Sequence, residues 1–544
     1  MKFEFSRQTL DKRERNLQRF FEIIPAATSW SIIVGMLCVS FWKPLLAAIL
    51  IIAFDLYWLM RLFYMVIFLV ISYIKMGIEK KTNWLQRIDD IDHLQECLER
   101  TKKQRGLSLK ERRSLVEHYK RLEVLWRSKN LPSSSKEIYH LVVLPILKES
   151  PKIIESTVTS LTRGNPLSKK ILVVLAVEDR ASEDTRTGAY KIQSEFKRDF
   201  LDFLIVMHPD GLPYEARVKG ANVSFAARHA AEYLKGKGIS FGNVIVSCFD
   251  ADTVVDRNYF PCLTYNFMIC PDRNQASFQP IPVYHNNIWD VPAFARVLDV
   301  GSSFFQLIES TNPASLVTFS SHSMSFKALV DVGYWPIDLI SDDSAIFWKS
   351  FIHFDGDYRV VPLYITVSMD VADAGSWRKT FLNVYRQKRR WAWGVENYPI
   401  VMRAFLRAKK IPLIKRFKHA FKLFEGHVSW ASWPFLLGVI SWFPAFFAGR
   451  EFSSTVIYYS APRIKATIFN LASLGLLTTS VLSVLLLPRF SIRYNWLRKI
   501  GHFFEWLLVP IISIFLSAVP ALDAQTRLML GRYMEFWVTE KKRK

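Results

Sequence analysis

The chain has 544 residues, 50% of them hydrophobic, and a formal net charge of +23. The apolar residues are gathered into long runs, which excludes a wholly soluble globular chain, and five cysteines without a Cys-x-x-Cys pair exclude a disulfide framework or a structural zinc site. So basic a balance can signal nucleic acid; beside membrane segments it fits anionic lipid headgroups better, at about 1 kcal/mol per basic residue near the surface.

Ile23–Trp42 is the first apolar run, and about 20 residues suffice to span a bilayer. It has no small-residue cleavage site and leads through Lys43-Pro44 into a second run, Leu45–Ile74, charged only at Asp55 and Arg61. It therefore reads as an anchor and not as a signal peptide. Lys2, Arg7, Lys12, Arg13, Arg15 and Arg19 precede it, so the positive-inside rule puts the N-terminus in the cytoplasm. Two spans within residues 1–75 return the chain there, making the large polar middle cytoplasmic. Residues 76–135 are charged with helical period and read as a connector. Ser108 and Glu111 fit a capping box for a helix through Leu115, Tyr119 and Leu122.

From residue 136 the texture changes. Ile138–Leu147, Lys170–Val177, Phe200–Met207 and Asn243–Cys248 are short runs rich in Val, Ile and Leu, as in buried parallel strands, and Ile153–Leu161 has helical period. Such alternation predicts a parallel sheet with helices on both faces, with ligands beyond the carboxyl ends of the strands. Residues 136–403 are assigned to this α/β domain. Glu149 follows the first strand and suits a nucleotide or a loop cap. Asp179 follows the second and suits a nucleobase, a ribose or a helix N-cap. Lys219 suits a phosphate or solvent. Asp250 and Asp252 end the fourth strand, where two carboxylates can hold Mg²⁺ or Mn²⁺ against a diphosphate. Asp342 and Asp343 precede a helical stretch; acids there are dipole partners or, for Asp343, a general base. In the segment RQKRRW, Gln387, Arg390 and Trp391 share one helix face. Arg390 can grip a phosphate and Trp391 can stack on a sugar. Lys388 and Arg389 read as a solvated or lipid-facing surface.

Residues 404–427 read as an interfacial helix, with Phe417, Phe421 and Phe424 on one face amid Lys415, Lys418 and Lys422. Residues 428–522 form a C-terminal membrane region with candidate spans Val428–Ala448, Ala466–Leu487 and Phe503–Leu522. The basic loop Arg489–Lys499 reads as cytoplasmic. Five full spans would leave Lys541–Lys544 outside. Phe503–Leu522, broken by Pro510 and Pro520, is therefore read as re-entrant or divided unless a sixth span is hidden. Residues 523–544 are a cytoplasmic or interfacial tail.

Taken in order, VVLPILKES, VEDR, DADTVVDRNYF, SDD, QKRRW and the ending PALDAQTRLMLGRYMEFWVTEK resemble the membrane-integrated, processive family 2 glycosyltransferases, the group of cellulose and hyaluronan synthases. The resemblance implies an inverting enzyme whose α/β glycosyltransferase-A (Rossmann-like) cytoplasmic domain is inserted between N-terminal and C-terminal transmembrane helices. It implies a nucleotide contact at Asp179, diphosphate and metal at Asp250 and Asp252, Gln387 and Arg390 beside the diphosphate and acceptor, and Asp343 as the base; Glu149 and Lys219 join the nucleotide-sugar set by their own positions. Trp391, with Gln279, would bind the acceptor. The chain departs from the family in having Ser341-Asp342-Asp343 where Thr/Ser-Glu-Asp is usual. Phe319–Phe326, FSSHSMSF, stands in place of a Gly-x-Asn motif.

The expected activity is transfer from a nucleotide-diphosphate sugar to a growing polysaccharide at the inner membrane, with possible export. The expected partners are that donor, a glycan or lipid-linked acceptor, and membrane lipids, with no nucleic acid. The rivals are a single transfer to a polyprenyl phosphate or other lipid acceptor, and a basic membrane protein without activity that binds lipid or nucleic acid.

Overall fold

The computed structural model describes residues 3–7, 9–100, 109–488 and 496–541. It divides into two units, Met1–Thr9 with Ser72–Asn286 and Glu309–Asp370, and Leu10–Ile71 with Asn287–Ile308 and Val371–Lys544. Lys2, Ser108 of the capping box, 489–495 of the basic loop and 542–544 of the tail lie outside the described residues.

The first unit is built on an eight-stranded mixed sheet. Its strands are β1 (Tyr139–Ile146), β2 (Ile171–Glu178), β3 (Asp202–His208), β4 (Val244–Cys248), β5 (Val254–Val255), β6 (Ala276–Val283), β7 (Ser323–Ser325) and β8 (Arg359–Ser368). Their order is β3-β2-β1-β4-β7-β6-β8-β5. The half β3-β2-β1-β4 is wholly parallel, with Val143 beside Val174 on one side and Cys248 on the other. These are the four strands expected from the sequence, and the Rossmann-like α/β architecture is the expected one. Leu141–Leu144 and Leu172–Val177 are almost completely buried, as strands covered on both faces must be. The covering helices start where local chemistry favours it. Pro151 opens Pro151–Thr162 after Ser150, and Ile153, Ile154, Val158 and Leu161 form its buried stripe. The Ser182 hydroxyl accepts the Thr185 N–H at the start of Glu183–Phe196.

The other half is irregular. β7 pairs antiparallel with both β4 and β6, β6 runs parallel to β8, and β5 pairs antiparallel with β8. The β6–β8 register slips between Gln279 and Ile281, at Pro280, which has no N–H for the ladder.

The second unit is helical. Across the described chain, four helical stretches are long and apolar enough to cross a membrane: Lys12–Trp42, Pro44–Glu79, Val456–Leu486 and Ile500–Met529. The chain is accordingly a membrane protein. Val428–Ala448 is not a single helix. Leu413–Gly438 is one helix through the boundary drawn at 427/428, and after Gly438 the chain breaks into short turns, with Pro444 opening the last. Phe503–Leu522 is divided, as its prolines suggested. A 3₁₀ turn at Trp506–Leu508 and a π segment at Ile514–Ala518 flank Val509–Ser513, and Pro510 and Pro520 sit in the first turns of the α-helical pieces.

Candidate active site

In the first unit the carboxyl ends of the parallel strands converge on a charged cluster. The chain turns sharply after β4, with the Thr253 N–H on the Asp250 carbonyl and the Thr157 hydroxyl on the Ala251 carbonyl. This presents Asp250 at the strand end. Lys219, the first residue of helix Lys219–Gly236, reaches the same point. Its Nζ donates to Asp250 Oδ1 at 2.9 Å and to Asp343 Oδ1 and Oδ2 at 2.9 and 3.2 Å. Asp342 Oδ2 lies 3.9 Å away. Burial alone would draw the Lys219 ammonium down, but Asp250 and Asp343 outweigh it and hold the group well above the ordinary lysine value. The Lys219 side chain is only 9% exposed, while Asp250 and Asp343 keep 31% and 25% open to an incoming ligand.

Three features position these groups. Gly220 lets the helix approach the loop before Asp342: a Cβ there would stand 2.1 Å from the Pro336 carbonyl oxygen and 3.1 Å from Asp342 Cβ. The Thr318 hydroxyl donates to the Asp343 carbonyl at 2.6 Å. Ser320 donates to Asp250 Oδ2 at 2.6 Å, and Ser321, held at φ 61, donates to or accepts from Thr253 at 2.9 Å. The serines belong to FSSHSMSF, and sequence reasoning gave them no role. Their only signal was a departure from a pattern.

Asp252 is differently disposed. It is buried, and its Oδ2 accepts the Asp370 N–H at 2.7 Å. Among the described residues no three His, Cys, Asp or Glu side chains converge as a metal site. A divalent cation that arrives with a diphosphate needs only one or two carboxylates. The all-oxygen donors at the end of β4, amid three carboxylates and one ammonium, fit that demand.

Asp179 lies beyond β2 at the mouth of a cavity of about 120 Å³ lined also by Glu178, His208, Asp210, Glu215 and Arg217. Arg186 stands 3.5 Å from Asp179. Side-chain contacts fix the wall: His208 hydrogen-bonds with Glu215 at 2.9 Å, and Arg217 is bidentate on Asp210 at 2.9 and 2.7 Å. Glu149 turns back on its own loop and accepts the Leu147 and Lys148 N–H groups at 2.7 and 3.0 Å. Gln279 is fully buried, with its carbonyl on the Phe319 N–H at 2.7 Å and its amide on the Pro280 carbonyl at 3.1 Å. It thus braces the loop that carries Ser320.

In the second unit, Gln387, Arg390 and Trp391 fall on helix Trp377–Ala392, as the spacing predicts. Gln387 is buried, and its Oε1 has no hydrogen-bond partner among the described residues. The reading of Lys388 and Arg389 as a solvated surface is corrected. Lys388 is buried on Asp299 at 2.8 Å, and Arg389 pairs with Asp523 at 2.9 Å. Their partners lie far away in sequence, so helical spacing alone could not reveal them. The C-terminal segment runs along the same helix. Asn383 donates to the Glu540 carbonyl at 2.9 Å, the Arg386 guanidinium lies 5.6 Å from the Trp537 ring, and that of Arg390 lies 5.2 Å from Phe536. Phe536 and Trp537 were not singled out from sequence, although they stand within the family-like ending.

Residues 245–520 match the family model described as glycosyl transferase family group 2. The poly-β-1,6-N-acetyl-D-glucosamine synthase of Staphylococcus aureus (strain COL) is 26% identical over 283 residues, 51% of this chain and 58% of that protein. The synthase of the same description from Staphylococcus epidermidis is 26% identical over 174 residues, 31% of this chain and 39% of the other. The chain thus spans 58% and 39% of the length of these two curated relatives. Among solved structures, a mannosyltransferase from Pyrobaculum calidifontis in complex with GDP-Man and Mn²⁺ aligns at TM-score 0.41 and 16% identity, over 72% of this chain and 94% of that one.

Proposed function

The chain belongs to glycosyl transferase family group 2, and from that premise we propose that it transfers a sugar from a nucleoside-diphosphate donor to a growing polysaccharide at the inner membrane, with inversion at the anomeric carbon. The observation that carries this reading is the bridge from Lys219 to Asp250 and Asp343 at the carboxyl ends of the parallel strands. Asp343 acts as the base. An acceptor hydroxyl oxygen bonds to the anomeric carbon, the bond from that carbon to the diphosphate oxygen breaks, and the hydroxyl proton passes to Asp343. Lys219 stabilises the negative charge that develops on the leaving diphosphate, the kind of electrostatic term that is usually the largest. Asp250 and Asp252 would hold Mg²⁺ or Mn²⁺, which when bound offsets further diphosphate charge. Asp179 and its cavity receive the nucleoside. Gln387 and Arg390 serve the diphosphate and acceptor, and Trp391 stacks on the acceptor sugar.

The basic residues Arg7, Lys12, Arg13, Arg15 and Arg19 support a cytoplasmic N-terminus and catalytic domain. The four candidate spans among the described residues, an even number, would bring the tail back to the same side; the same count would set the basic loop Arg489–Lys499 on the opposite side, against its cytoplasmic reading. The relatives named for poly-β-1,6-N-acetyl-D-glucosamine make an N-acetylhexosamine the first sugar to try.

A thermal-shift panel with UDP-N-acetylglucosamine, other UDP-sugars and GDP-mannose, each with and without Mn²⁺, tests the reading. A donor well above its Kd should raise Tm by about 3 °C or more, and Mn²⁺ should enlarge the shift. A panel without any shift would reject nucleotide-sugar binding. With the active donor, a ladder of long products on a gel supports polymerisation, and one added sugar per acceptor assigns a single-transfer enzyme instead.

A further inference from the structure

We propose that Lys388 is a positioning residue that fixes the indole of Trp391 for the acceptor; the inference rests on the reading of Trp391 given above. Lys388 Nζ lies 3.6 Å from the centre of the Trp391 ring. The same ammonium donates to Asp299 Oδ1 at 2.8 Å and to Ser302 Oγ at 3.1 Å. Lys388 and Asp299 side chains are each 3% exposed. Asp299 and Ser302 belong to helix Ala293–Glu309, whereas Lys388 and Trp391 lie three residues apart on helix Trp377–Ala392.

The geometry has a physical consequence. An ammonium over an indole face is attracted by the ring quadrupole, most strongly when desolvated. A lysine on a flexible four-carbon stem holds that position only if its three protons are directed elsewhere as well. Here Asp299 and Ser302 direct two of them. The buried carboxylate is therefore the anchor, the ammonium the intermediate and the indole the oriented part. Trp391 is half-buried, and its orientation is set through Lys388 by a second helix. Burial draws the Lys388 ammonium down against the opposing pull of Asp299, leaving it below the ordinary lysine value, so the carboxylate matters for keeping the cation in place.

The test uses the full chain in detergent, with UDP-N-acetylglucosamine as donor and an N-acetylglucosamine oligosaccharide as acceptor. Lys388→Met should raise the acceptor KM about tenfold, since a desolvated cation–π contact is worth that much, and leave donor affinity within about twofold. Lys388→Arg keeps a cation over the ring and should recover most of the loss. The pair Asp299→Asn with Lys388→Met leaves no buried charge unpaired and should fold. It should show the same acceptor defect as Lys388→Met alone. If the defect disappears in that pair, it came from the abandoned Asp299 charge and the positioning role is overturned. An unchanged acceptor KM in folded Lys388→Met overturns it too. Trp391→Ala separates the two levels: an unchanged acceptor KM there rejects the acceptor reading of Trp391 itself. A raised KM for Trp391→Ala with a normal one for Lys388→Met rejects only the inference about Lys388.

Discussion

Asp343→Asn should slow sugar transfer about a thousandfold while leaving the donor site intact. The two side chains are nearly the same size, so the packing around the first turn of Asp342–His353 is kept. The Thr318 bond goes to the Asp343 backbone carbonyl and survives the change. Lys219 loses the charge of the Asp343 carboxylate and one of its two acceptors there, since the asparagine oxygen still accepts, and it keeps Asp250 at 2.9 Å. What disappears is the capacity to take a proton from the attacking hydroxyl. General base catalysis is typically worth about 10²–10⁴-fold, so kcat should fall by roughly 10³. The donor dissociation constant should change by less than about threefold, because the groups that meet the diphosphate remain.

The measurement is single-turnover transfer with radiolabelled donor, alongside donor-induced thermal shift in the same preparation. Full activity in Asp343→Asn removes the base assignment and turns attention to Asp342 or Asp250. Equal loss of transfer and donor binding would instead make Asp343 an electrostatic partner of Lys219. Asp250→Asn differs in its expected signature. It removes the negative charge that anchors Lys219 and would hold a cation, leaving a neutral amide oxygen, so donor affinity and its Mn²⁺ dependence should both weaken.

The parallel half of the sheet was legible because β1, β2 and β4 are buried on both faces and so read as runs of Val, Ile and Leu, and edge strand β3 keeps an apolar run although several of its residues are partly exposed. The other half was not. β6 contains Pro280 and Pro282, β8 contains Pro362, and β7 is only Ser323-Met324-Ser325. A buried Ser-Met-Ser strand looks like a polar loop until its partners are known. Ser323 bonds Ser247 and Tyr259 at 2.7 Å each, and Ser325 bonds Asn274 at 3.2 Å. Asp250 was legible as a strand-end residue and Asp343 as an acid at a helix start, but their convergence was not. Lys219, Asp250 and Asp343 are separated by long stretches of chain, and no local spacing encodes their meeting. The same reason hid Lys388. Helical periodicity assigns a face, whereas the sign of the surroundings comes from Asp299 on another helix. Glu149 and Gln279 were read as contacts for a nucleotide and an acceptor, and their polar side-chain atoms bond backbone groups and hold loops.

Gly220→Ala should damage the enzyme out of proportion to the one methyl group added. Gly220 follows Lys219 in the first turn of Lys219–Gly236, where alanine would ordinarily be preferred. The added Cβ would meet the Pro336 carbonyl oxygen at 2.1 Å, a contact no side-chain rotation relieves. The loop carrying Pro336 is itself tied down. Ser224 donates to the Trp335 carbonyl at 3.0 Å, the Ala216 N–H to the Ile337 carbonyl at 3.0 Å, and Lys349 to the Gly333 and Tyr334 carbonyls at 2.9 and 2.7 Å. Helix and loop must therefore separate, and they carry Lys219 and Asp343 respectively. Overpacking of this kind costs about 1–3 kcal/mol of stability. The catalytic cost is larger, because a displacement of about 1 Å at a reacting centre can lose 10²-fold in rate. Gly236→Ala on the same helix is the control: nothing lies within 4 Å of its added Cβ, so stability and transfer should stay near wild type. Circular dichroism melts and initial transfer rates on the two variants separate the effects. Normal transfer by Gly220→Ala would mean that the Lys219–Asp343 approach is not required for catalysis, whatever the melt shows. A modest fall in Tm with a hundredfold fall in rate would tie catalysis to the close passage of this helix against the loop before Asp342.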